Sequence, residues 1–223
     1  MQRMWLMLWL LMAAGATAAA QDDRRPYAGT LAGVSTLSGD ARAVTSPPDA
    51  TLSMYKPENG LALDLFAGVH LARFFSVQAN YIWNRNDLAL VSSFVTPRGG
   101  GFYEQERHSA QHAIVADTLV YFRRRGSAIR PYLGTGLAIV RFTSGQPRRT
   151  VMVDLSAPAG AFSATKVALR SHVGIDFKVS DCLAFRYSFS ETISGNPISP
   201  HLTPPGTRGL ANFQNLFGLV AQF

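Results

Sequence analysis

Cysteine is nearly absent from the 223 residues: Cys182 stands alone. A lone thiol excludes an intramolecular disulfide framework and any multi-cysteine metal site. Charge is also scarce, at 16% Asp, Glu, Lys and Arg, against roughly 25% in an ordinary soluble domain. Beyond the N-terminus no stretch of 18 or more apolar residues occurs, which excludes a helical membrane protein after that point. Acids are the scarcer sign, 14 against 21 Lys and Arg, for a net charge of +7. Such a balance commonly accompanies nucleic-acid binding, but the N-terminal residues argue for export. No nucleic-acid partner is therefore expected.

Those residues are a short basic segment, Met1-Gln2-Arg3, then an unbroken apolar run from Met4 to Met12, then small residues ending in Ala18-Ala19-Ala20. That order reads as a secretory signal peptide over 1–20, cleaved after Ala20. No cysteine follows the apolar run, so a lipoprotein anchor is not expected. The mature domain is read as 21–223.

What fills the rest is alternation. In 61–71, Leu61, Leu63, Leu65, Ala67, Val69 and Leu71 are apolar, with Asp64 and His70 between them. In 75–84, Phe75, Val77, Ala79, Tyr81 and Trp83 oppose Ser76, Gln78, Asn80 and Asn84. In 166–179, Val167, Leu169, Val173, Ile175, Phe177 and Val179 oppose Lys166, Arg170, His172, Asp176 and Lys178. In 182–190, Leu183, Phe185, Tyr187 and Phe189 oppose Arg186 and Ser188. A period of two puts successive side chains on opposite faces of a strand. Segments 26–37, 109–122, 130–142 and 211–223 read as strands as well, eight in all, each long enough to cross a bilayer when tilted, which takes about 9–11 residues.

The predicted connections alternate in length. Those at 38–59, 86–108, 143–165 and 194–210 are long, and those at 72–73, 123–129 and 180–181 are short. Short turns at one end and long loops at the other mark an antiparallel up-and-down transmembrane β-barrel. The long connections hold the turn formers Ser46-Pro47-Pro48-Asp49, Pro97-Arg98-Gly99-Gly100-Gly101 and Thr203-Pro204-Pro205-Gly206. Energetics orients the wall: a charged side chain on the lipid face costs about 2–4 kcal/mol at mid-bilayer. The apolar rows must face lipid, and Asp64, His70, Gln78, Asn80, Asp117, Arg170, His172, Asp176 and Arg186 must face the lumen. Lys166 and Lys178 fall on the lumen face by the same count.

The chain closes with Phe213, Phe217, Leu219, Ala221 and Phe223 alternating against Gln214, Leu216, Gly218, Val220 and Gln222. With Ser76-Val77-Gln78-Ala79-Asn80-Tyr81 and Arg130-Pro131-Tyr132-Leu133-Gly134-Thr135-Gly136, this ending resembles the small eight-stranded outer-membrane β-barrel family, the OmpA-type transmembrane barrel with its OmpX and opacity-protein relatives. The likeness spans 26–223 and its motifs are structural. It implies residence in the cell outer membrane of a Gram-negative envelope. It also implies insertion by the barrel assembly machinery, with Phe217, Leu219 and Phe223 as the assembly signal. No peptidoglycan-binding domain is expected.

No catalytic motif emerges, and an enzyme is not expected. Ser171-His172 and His108-Ser109 are adjacent, so each pair points to opposite faces. His108 and His112 lack a third ligand, and no metal or cofactor is expected. Eight strands enclose a lumen just wide enough for side chains to fill. The expected role is structural or surface interaction, with outer-membrane lipids and lipopolysaccharide as partners and a possible surface ligand on the loops. The alternatives are a narrow channel for ions or small solutes and, behind it, a lipid-modifying enzyme. Arg98, Arg107, Arg148, Arg149 and Arg208, in or near the long connections, suit an anionic glycolipid.

Overall fold

The computed structural model describes residues 25–223; the signal-peptide reading of 1–20 lies outside them. The chain forms β1 (Arg25–Leu37), β2 (Asp40–Ser46), β3 (Asp49–Pro57), β4 (Gly60–Ala72), β5 (Phe75–Thr96), β6 (Gly99–Tyr121), β7 (Ile129–Val153), β8 (Phe162–Lys178), β9 (Leu183–Gly195) and β10 (Gly209–Gln222). All neighbouring strands are antiparallel.

The pairings form a closed circuit through β1, β4, β5, β6, β7, β8, β9 and β10, with β1 meeting β10 from Tyr27↔Gln222 to Leu37↔Asn212. The hairpin β2–β3 stands outside that circuit. It continues the sheet above β4, pairing Ala50–Pro57 with Leu88–Val95 of β5. Among the described residues there are therefore ten strands, eight in the circuit and two in the added hairpin, where eight were read from the sequence.

Three of the expected long loops are mostly strand. β5 runs on to Thr96 and β6 starts at Gly99, so the connection read at 86–108 shrinks to Pro97-Arg98. β7 extends to Val153 and β8 begins at Phe162, which narrows 143–165 to 154–161. The first connection folds as the β2–β3 hairpin around Pro47-Pro48. Only the last, 196–208, keeps a loop with a single 3-10 turn at Ser199–His201. At about 3.3 Å per residue, the 22 residues of β5 reach about 70 Å, roughly twice what a bilayer crossing needs. The upper parts of β2, β3, β5, β6 and β7 form a sheet standing above the barrel. Its edges are β2 and residues 145–153 of β7, since pairing with β8 stops at Ser144↔Phe162.

The wall keeps the predicted parity. On β8, Val167 (73% exposed), Leu169, Ser171 and Val173 point outward, and Ala168, Arg170, His172 and Asp176 are buried. Lys166 and Lys178 depart from the sequence reading: both are exposed at the rims, Lys178 because β8 ends there and Lys166 because pairing with β9 stops at Ala168↔Ser194. One outward row joins Tyr81, Ile114, Ile139 and Val167 across four strands by register. This apolar girdle is the surface a hydrocarbon phase would cover.

Candidate functional site in the barrel interior

The interior is filled in layers, and cross-strand register sets their order. Nearest the short turns lie aromatic rings. Tyr27 and His70 have centroids 4.7 Å apart, and Tyr121 and Tyr132 5.5 Å. The Arg130 guanidinium lies 3.5 Å from the Tyr121 centroid.

Above them sits Arg186. Asp176 is its cross-strand neighbour by register, and the two form a fork, Nε to Oδ1 at 2.6 Å and Nη2 to Oδ2 at 2.8 Å. Nη1 also donates to Gln78 Oε1 (3.1 Å) and Nη2 to the Tyr121 hydroxyl (3.0 Å). Phe66 and Tyr132 present rings 5.0 and 4.8 Å from the guanidinium. Bidentate geometry with aromatic stacking is where arginine outperforms lysine.

The next layer centres on Arg170. It donates to Asp117 Oδ2 at 2.8 Å and to Asp64 Oδ2 at 3.2 Å. Asn80 Nδ2 donates to the same Asp117 oxygen (2.8 Å), which also lies 3.5 Å from His172 Nε2. Arg170, Asp64 and Asp117 are each at most 3% exposed. A buried charge persists only when matched and hydrogen-bonded; here one guanidinium bridges two carboxylates and Asn80 adds a donor to Asp117, while Asp64 Oδ1 and Asp117 Oδ1 have no hydrogen-bond partner among the described residues.

Higher still the lumen is bound by amides. Gln111 Oε1 accepts from Asn84 (3.2 Å) and Asn212 (3.0 Å), and Gln214 Nε2 donates to Asn84 Oδ1 (3.0 Å). Then the interior turns apolar. Leu37, Tyr55, Leu88, Leu90, Tyr103, Phe142, Ile198, Leu202 and Leu210 form one buried cluster, with Leu155, Ala157 and Phe162 against it. Ile198 and Leu202 come from the 196–208 loop, which folds into the mouth. Arg107 holds 154–161 over the same opening by donating to the carbonyls of Pro158 (3.0 Å) and Gly160 (3.2 Å). His201 stacks on Phe162 at 4.1 Å. Partial burial, then the Arg107 charge, hold its imidazole below the usual histidine range.

Asp64, His70, Gln78, Asn80, Asp117, Arg170, His172, Asp176 and Arg186 are buried in the interior, unlike Lys166 and Lys178 at its rims. Arg170 joins Asp64, Asp117 and His172; Arg186 joins Asp176 and Gln78; Gln78 Nε2 bridges to Asn80 Oδ1 at 2.5 Å, linking the two groups. His70 stands apart, among the rings nearest the short turns. Phe217, Leu219 and Phe223 face outward and are exposed. Arg130, Tyr27, Tyr121, Tyr132, Gln111, Asn212 and Gln214 are also buried there, without a place among the sequence-assigned lumen residues. Strand parity, carried from Gly134 back to Tyr132 and Arg130, would have found two of them.

The Arg130-to-Gly136 motif acquires a physical reason. A Cβ on Gly134 would overlap the His172 imidazole, and one on Gly136 the Asp117 carboxylate. The two glycines make room for the Arg170 layer. Ser171 and His172 point to opposite faces, and the imidazole of His112 meets the Tyr81 hydroxyl on the outer wall at 2.7 Å. Among the described residues no group of three or more His, Cys, Asp or Glu side chains is placed to hold a metal ion.

Comparison with known proteins places this geometry. A family model described as an outer membrane protein beta-barrel domain matches residues 6–216. No match was found among curated proteins. Among solved structures, Neisserial surface protein A is 14% identical, with a TM-score of 0.50 over 89% of this chain and 97% of that one. The outer membrane protein OprG from Pseudomonas aeruginosa is 13% identical, with a TM-score of 0.50 over 92% of this chain and 98% of that one. At such identities the likeness shows the fold. A strand circuit closed between β1 and β10, an apolar outer wall, a polar interior and a family match over nearly the whole length lead to one conclusion: the chain belongs to the outer membrane protein beta-barrel domain family and resides in the outer membrane.

Proposed function

We propose that this protein is a closed, non-enzymatic barrel that presents a surface for interaction outside the cell. The carrying observation is the sheet standing above the wall. Short turns mark the periplasmic end and the extended end faces outward. There the outer face of β3, β5, β6 and β7 bears Leu52, Met54, Val91, Val95, Phe102, Val151 and Val153 in neighbouring register rows, interrupted by Ser93 and Glu104. Phe102, Val95, Val151 and Val153 are exposed. A solvated antiparallel sheet ordinarily shows polar residues on its free face, and a cluster of exposed apolar residues on one marks an interaction site. Below it the register rows turn charged, with Lys56, Glu106 and Arg149 aligned and Arg148 3.7 Å from Asp87. That belt separates the patch from the girdle and suits contact with anionic lipopolysaccharide.

The layered lumen supports a closed interior. The test joins two measurements on refolded mature protein. Planar-bilayer recording is expected to show no steady conductance. Proteoliposomes are expected to adhere to an immobilised polypeptide and glycan panel in a manner lost with Phe102→Lys and Val153→Lys. Ion-selective steps that change with Arg170→Ala would overturn this reading in favour of a narrow channel.

A further inference from the structure

The periplasmic mouth holds a cavity of about 180 Å³ lined by Arg25, Arg125, Ser127, Arg130, Asp176, Lys178, Ser180 and Asp181, among others. Two carboxylates, Asp176 and Asp181, are among its lining. Asp176 is taken by the Arg186 fork. Asp181 accepts from Lys178 Nζ at 2.5 Å, on a carboxylate that is almost wholly exposed. Arg130 is different. It is 3% exposed, yet its partners are neutral: the Arg123 carbonyl at 3.3 Å, the Arg73 carbonyl at 3.4 Å and the His70 imidazole at 3.5 Å. Among the described residues no carboxylate lies within ion-pair distance of Arg130. Besides these it stacks on the Tyr121 ring at 3.5 Å, and its cross-strand neighbour Asp176 is held in the Arg186 fork rather than paired with it, so this buried guanidinium has no carboxylate of its own in direct contact. It opens onto a cavity that a second arginine, Arg25, also lines.

We propose that this cavity is a binding site for a phosphate group. Arg130 is its floor, Arg25 and Lys178 its charged walls, and the Ser127 and Ser180 hydroxyls its further donors. A phosphate offers several acceptor oxygens to a guanidinium fork, and the cavity exceeds one phosphate in volume. Lys178 reaches it by exchanging Asp181, which is free to return to solvent. Two sources share this chemistry: phospholipid headgroups of the periplasmic leaflet, which lie at the height of the mouth, and soluble phosphate esters. The site does not depend on the surface role proposed above.

The experiment is calorimetric titration of refolded mature protein in an uncharged maltoside detergent, first with inorganic phosphate and then with sub-micellar dihexanoyl phosphatidylglycerol. Saturable binding is expected, weakened about tenfold by Arg130→Gln and several-fold by Lys178→Gln. Arg141→Gln, an exposed cation on the outer part of β7, is expected to leave it unchanged. If Arg130→Gln does not refold, as read by the heat-dependent gel shift, Lys178→Gln and Arg25→Gln at the rim carry the test. Tighter binding of the lipid than of phosphate assigns the site to headgroups, and equal binding assigns it to soluble esters. Absence of saturable binding by both probes, or equal weakening in Arg141→Gln, overturns the proposal.

Discussion

Replacing Arg170 with methionine tests whether the lumen layers hold the barrel together. The side chain is fully buried and donates to two carboxylates, Asp117 at 2.8 Å and Asp64 at 3.2 Å. Each charge-assisted bond is worth about 1.5–3 kcal/mol. Removing one partner of a buried ion pair costs about 3–5 kcal/mol, because the other is stranded. Both routes agree, so Arg170→Met is expected to destabilise the barrel by about 3–5 kcal/mol. Adding Asp64→Asn and Asp117→Asn removes the stranded charges and is expected to recover most of that loss, since replacing a whole buried network by neutral groups is often near neutral. The assay is urea unfolding in lipid vesicles. It is followed by fluorescence of Trp83, the one tryptophan after Ala20, and by the gel shift. The reasoning is refuted if Arg170→Met costs less than about 1 kcal/mol, the scale of an exposed pair, or if the triple variant is no more stable than the single one.

Ile114 is 69% exposed in the apolar girdle; Ile114→Arg is expected to cost about 2–4 kcal/mol in vesicles and much less in detergent, and equal loss in both would argue against its facing lipid. Gly134→Ala forces a methyl group into the His172 imidazole and is expected to destabilise by about 1–3 kcal/mol, whereas Gly126→Ala, in a periplasmic turn with open space around it, is expected to change unfolding little. Phe223→Ala is expected to lower the amount of barrel in the outer membrane of cells while leaving refolding in vitro intact; unchanged cellular levels would remove the assembly role.

Much of the wall and its contents was legible in the residues themselves. Wherever lipid lies outside and polar groups inside, apolar and polar side chains must alternate. A slip of one residue would turn Arg170, His172 and Asp176 into hydrocarbon, so parity alone assigns them to the lumen. The same logic loses force above the bilayer. There the outer face need not be apolar, and Asp87, Ser92 and Ser93 interrupt the period. Strands that run on to Thr96 and Val153 therefore read as loops, and the β2–β3 hairpin was hidden among turn formers.

The sequence by itself determined the strand class and the sidedness of each strand, because these follow from local alternation against two solvents, while its likeness to a known family implied the outer-membrane setting. Only the tertiary structure decided which lumen charges meet. Pairings such as Arg170 with Asp64, 106 residues apart, depend on which strands face each other across the barrel. It also decided that the mouth is closed by Ile198 and Leu202, that the outer connections stand up as a sheet, and that Arg130 borders a cavity whose carboxylates, Asp176 and Asp181, are engaged by Arg186 and Lys178. Each of these depends on where distant segments come to lie, and no local period encodes that.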